Sequence, residues 1–121
     1  MFDKRVYKIA AFLAERLEER NVRVAQIILF GSQSRGDTHK DSDVDLAVIS
    51  EDFHGKGIFK RMDMIGQADA NTVLEFHVPI DVILMSPDDL EHGTSLMSDY
   101  VKMGKVIFPR SSVRKPKQKA G

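Results

Sequence analysis

Apolar positions along the chain follow two rhythms. Val6, Ala10, Leu13 and Leu17 recur at intervals of four, three and four, one stripe of a helix over Asp3–Arg20 that ends among Glu15, Arg16, Glu18, Glu19 and Arg20. Asn21-Val22-Arg23 turns the chain, and Val24–Phe30 follows as a run rich in β-branched residues, the pattern of a buried strand. Asp43–Ile49 alternates at its start and then becomes apolar, as a strand entering a core does. Ser50–Gly57 reads as a loose connection. Ile58, Met62 and Ile65 begin a second amphipathic helix reaching Asn71, with its methionines filling core space, and Thr72–His77 reads as a short strand or an irregular approach. Pro79–Met85 is another apolar strand, interrupted by Asp81. Ser86, with Pro87 at the first helical position, opens a helical region from Asp88 to Met103 that Gly93 interrupts. Gly104 ends it, and Lys105–Phe108 forms a last strand closed by Pro109. There is no internal repeat. The order α-β-β-α-β-α-β predicts an α/β two-layer fold, a mixed β-sheet with helices packed on it.

Composition narrows this picture. At 121 residues and 42% hydrophobic content, the chain suffices for one modest core, predicted over 1–109. The absence of cysteine excludes disulfides and thiolate metal sites. Asp3, Lys4, Arg5 and Lys8 argue against a signal peptide, and no apolar run approaches membrane-spanning length, so a cytoplasmic location is expected. The net charge of zero conceals an asymmetry: Arg110, Arg114, Lys115, Lys117 and Lys119 lie in the last twelve residues, leaving 13 basic against 18 acidic residues elsewhere. An acidic body is a poor surface for gripping long nucleic acid. The basic 110–121 segment, rich in Lys, Ser and Pro, reads as a flexible tail.

The segment Gly31–Leu46, GSQSRGDTHKDSDVDL, carries the candidate chemistry. Gly31-Ser32 ends an apolar strand; glycine lets the backbone approach a ligand closely, and Ser32 suits the cap of a helix whose free N–H groups would face an anion. By itself such a pair is an ordinary turn. The period of two puts Asp43 and Asp45 on one strand face, roughly 6–7 Å apart, with Val44 and Leu46 on the other. They are either a solvated strand face or ligands for Mg²⁺, which takes one or two carboxylates and substrate phosphates. Asp81 is a third acid near the start of a separate apolar strand, where burial is costly without a partner or a metal; the alternative is an edge-strand aspartate facing water. If its strand pairs with that of Asp45, three carboxylates converge beside the glycine turn, and Asp81 gains access to the attacking hydroxyl's proton. Arg35 can pair with Asp37 or Asp41. Ser42 can orient the Asp43 backbone, while His39 and Lys40 read as solvated loop residues. His54, His77 and His92 lack metal-ligand spacing, and Tyr7 and Tyr100 read as half-buried packing residues, with the alternative that an exposed tyrosine serves as the acceptor of a transferred group.

Gly31-Ser32, the ten residues Gln33 to Ser42, Asp43 and Asp45, and the later Asp81 together resemble the minimal nucleotidyltransferases of the DNA polymerase β-like superfamily. The resemblance extends from the first helix to about Phe108. It implies that Gly31 and Ser32, with Arg35 from the following Arg-Gly pair, hold a nucleoside triphosphate. It further implies that Asp43 and Asp45 bind Mg²⁺, with two ions in the site, and that Asp81 completes the metal site or acts as base. The expected activity is transfer of a nucleotide, AMP from ATP, to a hydroxyl. Minimal nucleotidyltransferases pair with a helical HEPN toxin, so the resemblance implies an antitoxin that adenylylates a tyrosine of that partner in a hetero-oligomer. Two alternatives stay open: nucleotidylation of a small molecule such as an aminoglycoside, and a non-catalytic antitoxin acting by contact.

Overall fold

The computed structural model describes residues 4–31 and 43–110. The first helix, α1 (Arg5–Glu18), buries Val6, Ile9, Ala10, Leu13, Ala14 and Leu17, which contains the stripe expected from sequence. Strands β1 (Gln26–Phe30), β2 (Val44–Ile49), β3 (Ile80–Met85) and β4 (Lys105–Phe108) form one mixed sheet in the order β3-β2-β1-β4. β1 runs antiparallel to both β2 and β4, whereas β2 and β3 are parallel. The α/β architecture with a mixed sheet is therefore the one predicted.

A parallel pair cannot be closed by a tight turn, and the crossover between β2 and β3 carries helices α2 (Ile58–Ile65) and α3 (Ala68–Phe76). Sequence reading expected one helix to Asn71 and then strand-like or irregular backbone; the structure has two helices. Gly66 divides them at a φ of +56°, in a place where a Cβ would collide with the Arg20 guanidinium. Arg20 uses that space to donate from Nε to the Met64 carbonyl (2.9 Å) and from Nη2 to that of Asp63 (3.2 Å), satisfying carbonyls at the end of α2. Thr72 is helical, with its buried hydroxyl donating to the Ala68 carbonyl at 2.8 Å, and Phe76 meets Phe12 of α1 edge-on with ring centroids 5.6 Å apart.

The connection after β2 is also better anchored than its polarity suggested. Ser50 accepts from the Asp52 N–H (3.1 Å) to open a 3₁₀ turn, Glu51–Phe53, whose Phe53 side chain is completely buried. Met62, expected in the core, is instead 54% exposed beside Ile58 and Phe59.

The two sheet faces divide the hydrophobic material. Ile27, Leu29, Val44, Leu46, Val48 and Leu84 face α1 and the α2–α3 crossover in the larger core cluster. Ile28, Phe30, Ala47, Ile49 and Met85 face the other way, against Leu90 of α4 (Pro87–His92) and Val101 of α5 (Leu96–Lys102). The expected break at Gly93 separates these short helices. Ser86 caps α4 in a reciprocal box with Asp89, and Pro87 takes the first position as its sequence context predicted.

Arg61 ties the crossover to the second layer: its Nη1 donates to the Leu84 carbonyl (2.9 Å) and to Asp89 Oδ2 (2.6 Å). Partial burial opposes ionisation of Asp89, but the Ser86 N–H, the Arg61 guanidinium and the Ser86 side chain together hold its carboxyl below the ordinary range. A carboxyl lowered on folding contributes stability in full above its unfolded pKa and loses it as pH falls through the folded value. Arg61→Met should cost about 1–2 kcal/mol in urea denaturation at pH 7, since it removes charge-assisted hydrogen bonds, and the deficit should narrow when the titration is repeated near pH 3.

Candidate active site

Register decides what the sheet brings together. Phe30 on β1 pairs with Asp45 on β2, and Asp45 pairs with Asp81 on β3, so the three side chains form one row across three strands. The next row on that face is Ile28, Ala47 and Ile83. Neighbouring strands lie roughly 4.8 Å apart, so the carboxylates of Asp45 and Asp81 emerge side by side from a hydrophobic floor. Asp43 lies just before β2, exposed, two residues from Asp45 and on the same strand face.

A geometric part of each reading of Asp81 is present: it stands beside Asp45, and it is exposed on an edge strand, so the cost of burial does not account for it. The burdened acid is Asp45. Partial burial raises its carboxyl above the ordinary range, and the charges of Asp81 and then Asp43 raise it further. All three predicted acids therefore act on one locality.

Gly31 ends β1 with a φ of +77°, and a Cβ there would strike Asp45 Oδ2. Only glycine allows the Asp45 carboxylate to lie against the backbone at this bend. Ser32, Arg35, His39, Lys40 and Ser42 fall outside the described residues. Sequence reasoning missed two contributors. Met97 and Tyr100, three apart on α5, join Gly31, Asp45, Asp81 and Ile83 in lining a cleft of about 530 Å³. Tyr100 is 53% exposed there, not half-buried packing; Tyr7, by contrast, is half-buried with the Arg110 guanidinium 4.3 Å from its ring centre. The signal was available in Leu96-Met97-Ser98-Asp99-Tyr100-Val101-Lys102, which has apolar residues on more than one helical face.

The chemistry of the three acids is compatible with the expected Mg²⁺. They supply only hard oxygen donors, their mutual repulsion calls for a cation, and they open onto a cleft. Among the described residues no three acids or histidines close into a ready-made cage. Mg²⁺ commonly takes carboxylate ligands and completes its shell with substrate phosphates and water.

The fold class is an α/β domain with a mixed sheet, and it carries paired strand-borne acids beside a glycine bend. Residues 9–107 match the nucleotidyltransferase domain family, and the chain belongs to that family. Among solved structures, a candidate nucleotidyltransferase from Sulfolobus solfataricus superposes with a TM-score of 0.60 at 21% identity, over 84% of this chain and 78% of that one, a likeness of fold. BolA1 from Arabidopsis thaliana reaches a TM-score of 0.41 at 14% identity, over 64% of this chain and 94% of that one, too low to inform the site. No curated protein sequence matches the chain.

The raised Asp45 carboxyl has a consequence for stability. The folded state holds that proton more tightly than the unfolded chain, so ionisation costs stability above the folded pKa, and the cost disappears below the unfolded value. Without metal, Asp45→Asn should therefore raise the thermal midpoint at pH 7 in differential scanning calorimetry. The gain should fade as the pH approaches 3.

Proposed function

We propose that this chain transfers AMP from ATP, with Mg²⁺, to a tyrosine hydroxyl of a HEPN-class partner protein, and so acts as that partner's antitoxin. The observation supporting the chemistry is the Asp45–Asp81 register, which sets two carboxylates side by side on an open cleft with Gly31 at its edge. Nucleotidyl transfer is the reaction of the family; the nucleotide, acceptor and biological role are the proposal.

In this reading the Gly31 backbone would lie close to the phosphates, and Asp43, Asp45 and Asp81 would hold the Mg²⁺. Bound there, Mg²⁺ would offset the charge that develops on the phosphoryl oxygens. Asp81 has the exposure needed to meet a hydroxyl presented by another molecule, and it takes the proton as that oxygen attacks the α-phosphorus. The new O–P bond forms as the bond to pyrophosphate breaks. Asp45, wedged under Gly31 against Phe30, keeps its orientation through the exchange. An acceptor carried on a protein suits this opening at a sheet edge.

Incubation with ATP, Mg²⁺ and the adjacent gene's product, followed by intact-mass and peptide analysis, should find whole nucleotide monophosphate units on a tyrosine of that product. Chelation of Mg²⁺ should stop the reaction, and Asp43→Asn should slow it by roughly a hundredfold or more with the thermal midpoint little changed. An Asp43→Asn variant of undiminished rate would refute the assignment of the acids. An unmodified partner would refute the tyrosine target.

A further inference from the structure

The cleft is lined by two chemically different sets of residues. Gly31, Asp45 and Asp81 make up one; Phe30, Ile83, Met97 and Tyr100 belong to the other, which carries no charge. Polyphosphate and cation suit the first set. They leave the second unexplained.

Its structure argues against incidental exposure. Met97 and Tyr100 stand one turn apart on the same side of α5, 43% and 53% exposed. The alternate positions hold the helix in place. Val101 is fully buried in the core shared with Phe30 and Ile49, and Ser98, also fully buried, donates from Oγ to the Ser95 carbonyl at 2.8 Å. Ser95 in turn caps the helix by accepting from the Ser98 N–H at 3.1 Å, and Lys102 Nζ reaches the Glu91 carbonyl at 3.2 Å. An anchored short helix thus presents an aromatic ring and a thioether to water, on a wall shared with the acids. A ring carried on an anchored helix and open to water can accept a planar aromatic ligand at a lower ordering cost than one on a mobile loop. The cleft volume is also within the range that small-molecule sites commonly occupy.

We propose that Tyr100, flanked by Met97, is the stacking wall for the nucleobase, so that the base lies along α5 while its phosphates reach Asp45 and Asp81. This rests on the nucleotide reading above and extends it by naming the group that holds the base. Stacking uses the ring face, so the Tyr100 hydroxyl is dispensable. The methionine sulfur adds a polarizable contact at the edge of the base.

The test compares two probes by isothermal titration calorimetry with Mg²⁺ present: ATP, and inorganic tripolyphosphate, which has the charge without the base. Tyr100→Ala should weaken ATP binding about tenfold, the order found for loss of one aromatic–base stack, and leave tripolyphosphate unchanged. Tyr100→Phe should bind ATP like the parent. Asp45→Asn should weaken both probes. ATP affinity that is unaltered in Tyr100→Ala, or that falls in step with tripolyphosphate, would overturn the stacking role while sparing the phosphate site. Failure of the unmodified protein to bind either probe would overturn the nucleotide reading and this inference with it.

Discussion

The alternation of side chains along β2 is the constraint on which the rest depends. Leu46 and Val48 must point into the larger core, and the period of two then forces Asp45 onto the opposite face. A one-residue slip would bury the acids and expose the leucine, so the hydrophobic core fixes the position of the chemistry. The same geometry opposes Asp45, which gives up part of its hydration and lies beside two like charges. The site is held together by packing beneath it, against its own electrostatics. A protein can retain such an arrangement when a cation is part of its working state.

The asymmetry of the two sheet faces gives that arrangement its opening. α1 and the α2–α3 crossover seal one face with the larger share of the apolar side chains. Among the described residues, the other face receives only α4 and α5, which pack on Ile28, Phe30, Ile49 and Met85 and leave a cleft at Asp45 and Asp81. Arg61 spans both sides of this division, joining α2 to β3 and α4 through two short hydrogen bonds. The crossover, the edge strand and the start of the second layer are therefore tied at one side chain.

Most elements were legible because their signals are local. The stripe of α1, the apolar runs of β1 and β3 and the Ser86-Pro87 start of α4 each depend on residues within a few positions of one another. The misreadings share a cause. The break at Gly66 serves Arg20, 46 positions away in the sequence, and the helicity of Thr72–Phe76 depends on packing against α1. Met62 and Tyr100 were assigned to packing from their residue type, whereas exposure depends on which elements arrive to cover them.

For the site, the sequence by itself determined the inventory: a glycine at a strand end, two acids in alternation and a third acid near the start of another strand. It could do so because spacing along a strand sets the face on which a side chain lies. Only the tertiary structure decided that Asp81 stands opposite Asp45, that Gly31 leaves space for that carboxylate, and that Tyr100 shares their cleft. These are relations between strands and helices distant in sequence. Their register follows from how the whole core packs, and no window of residues encodes it alone.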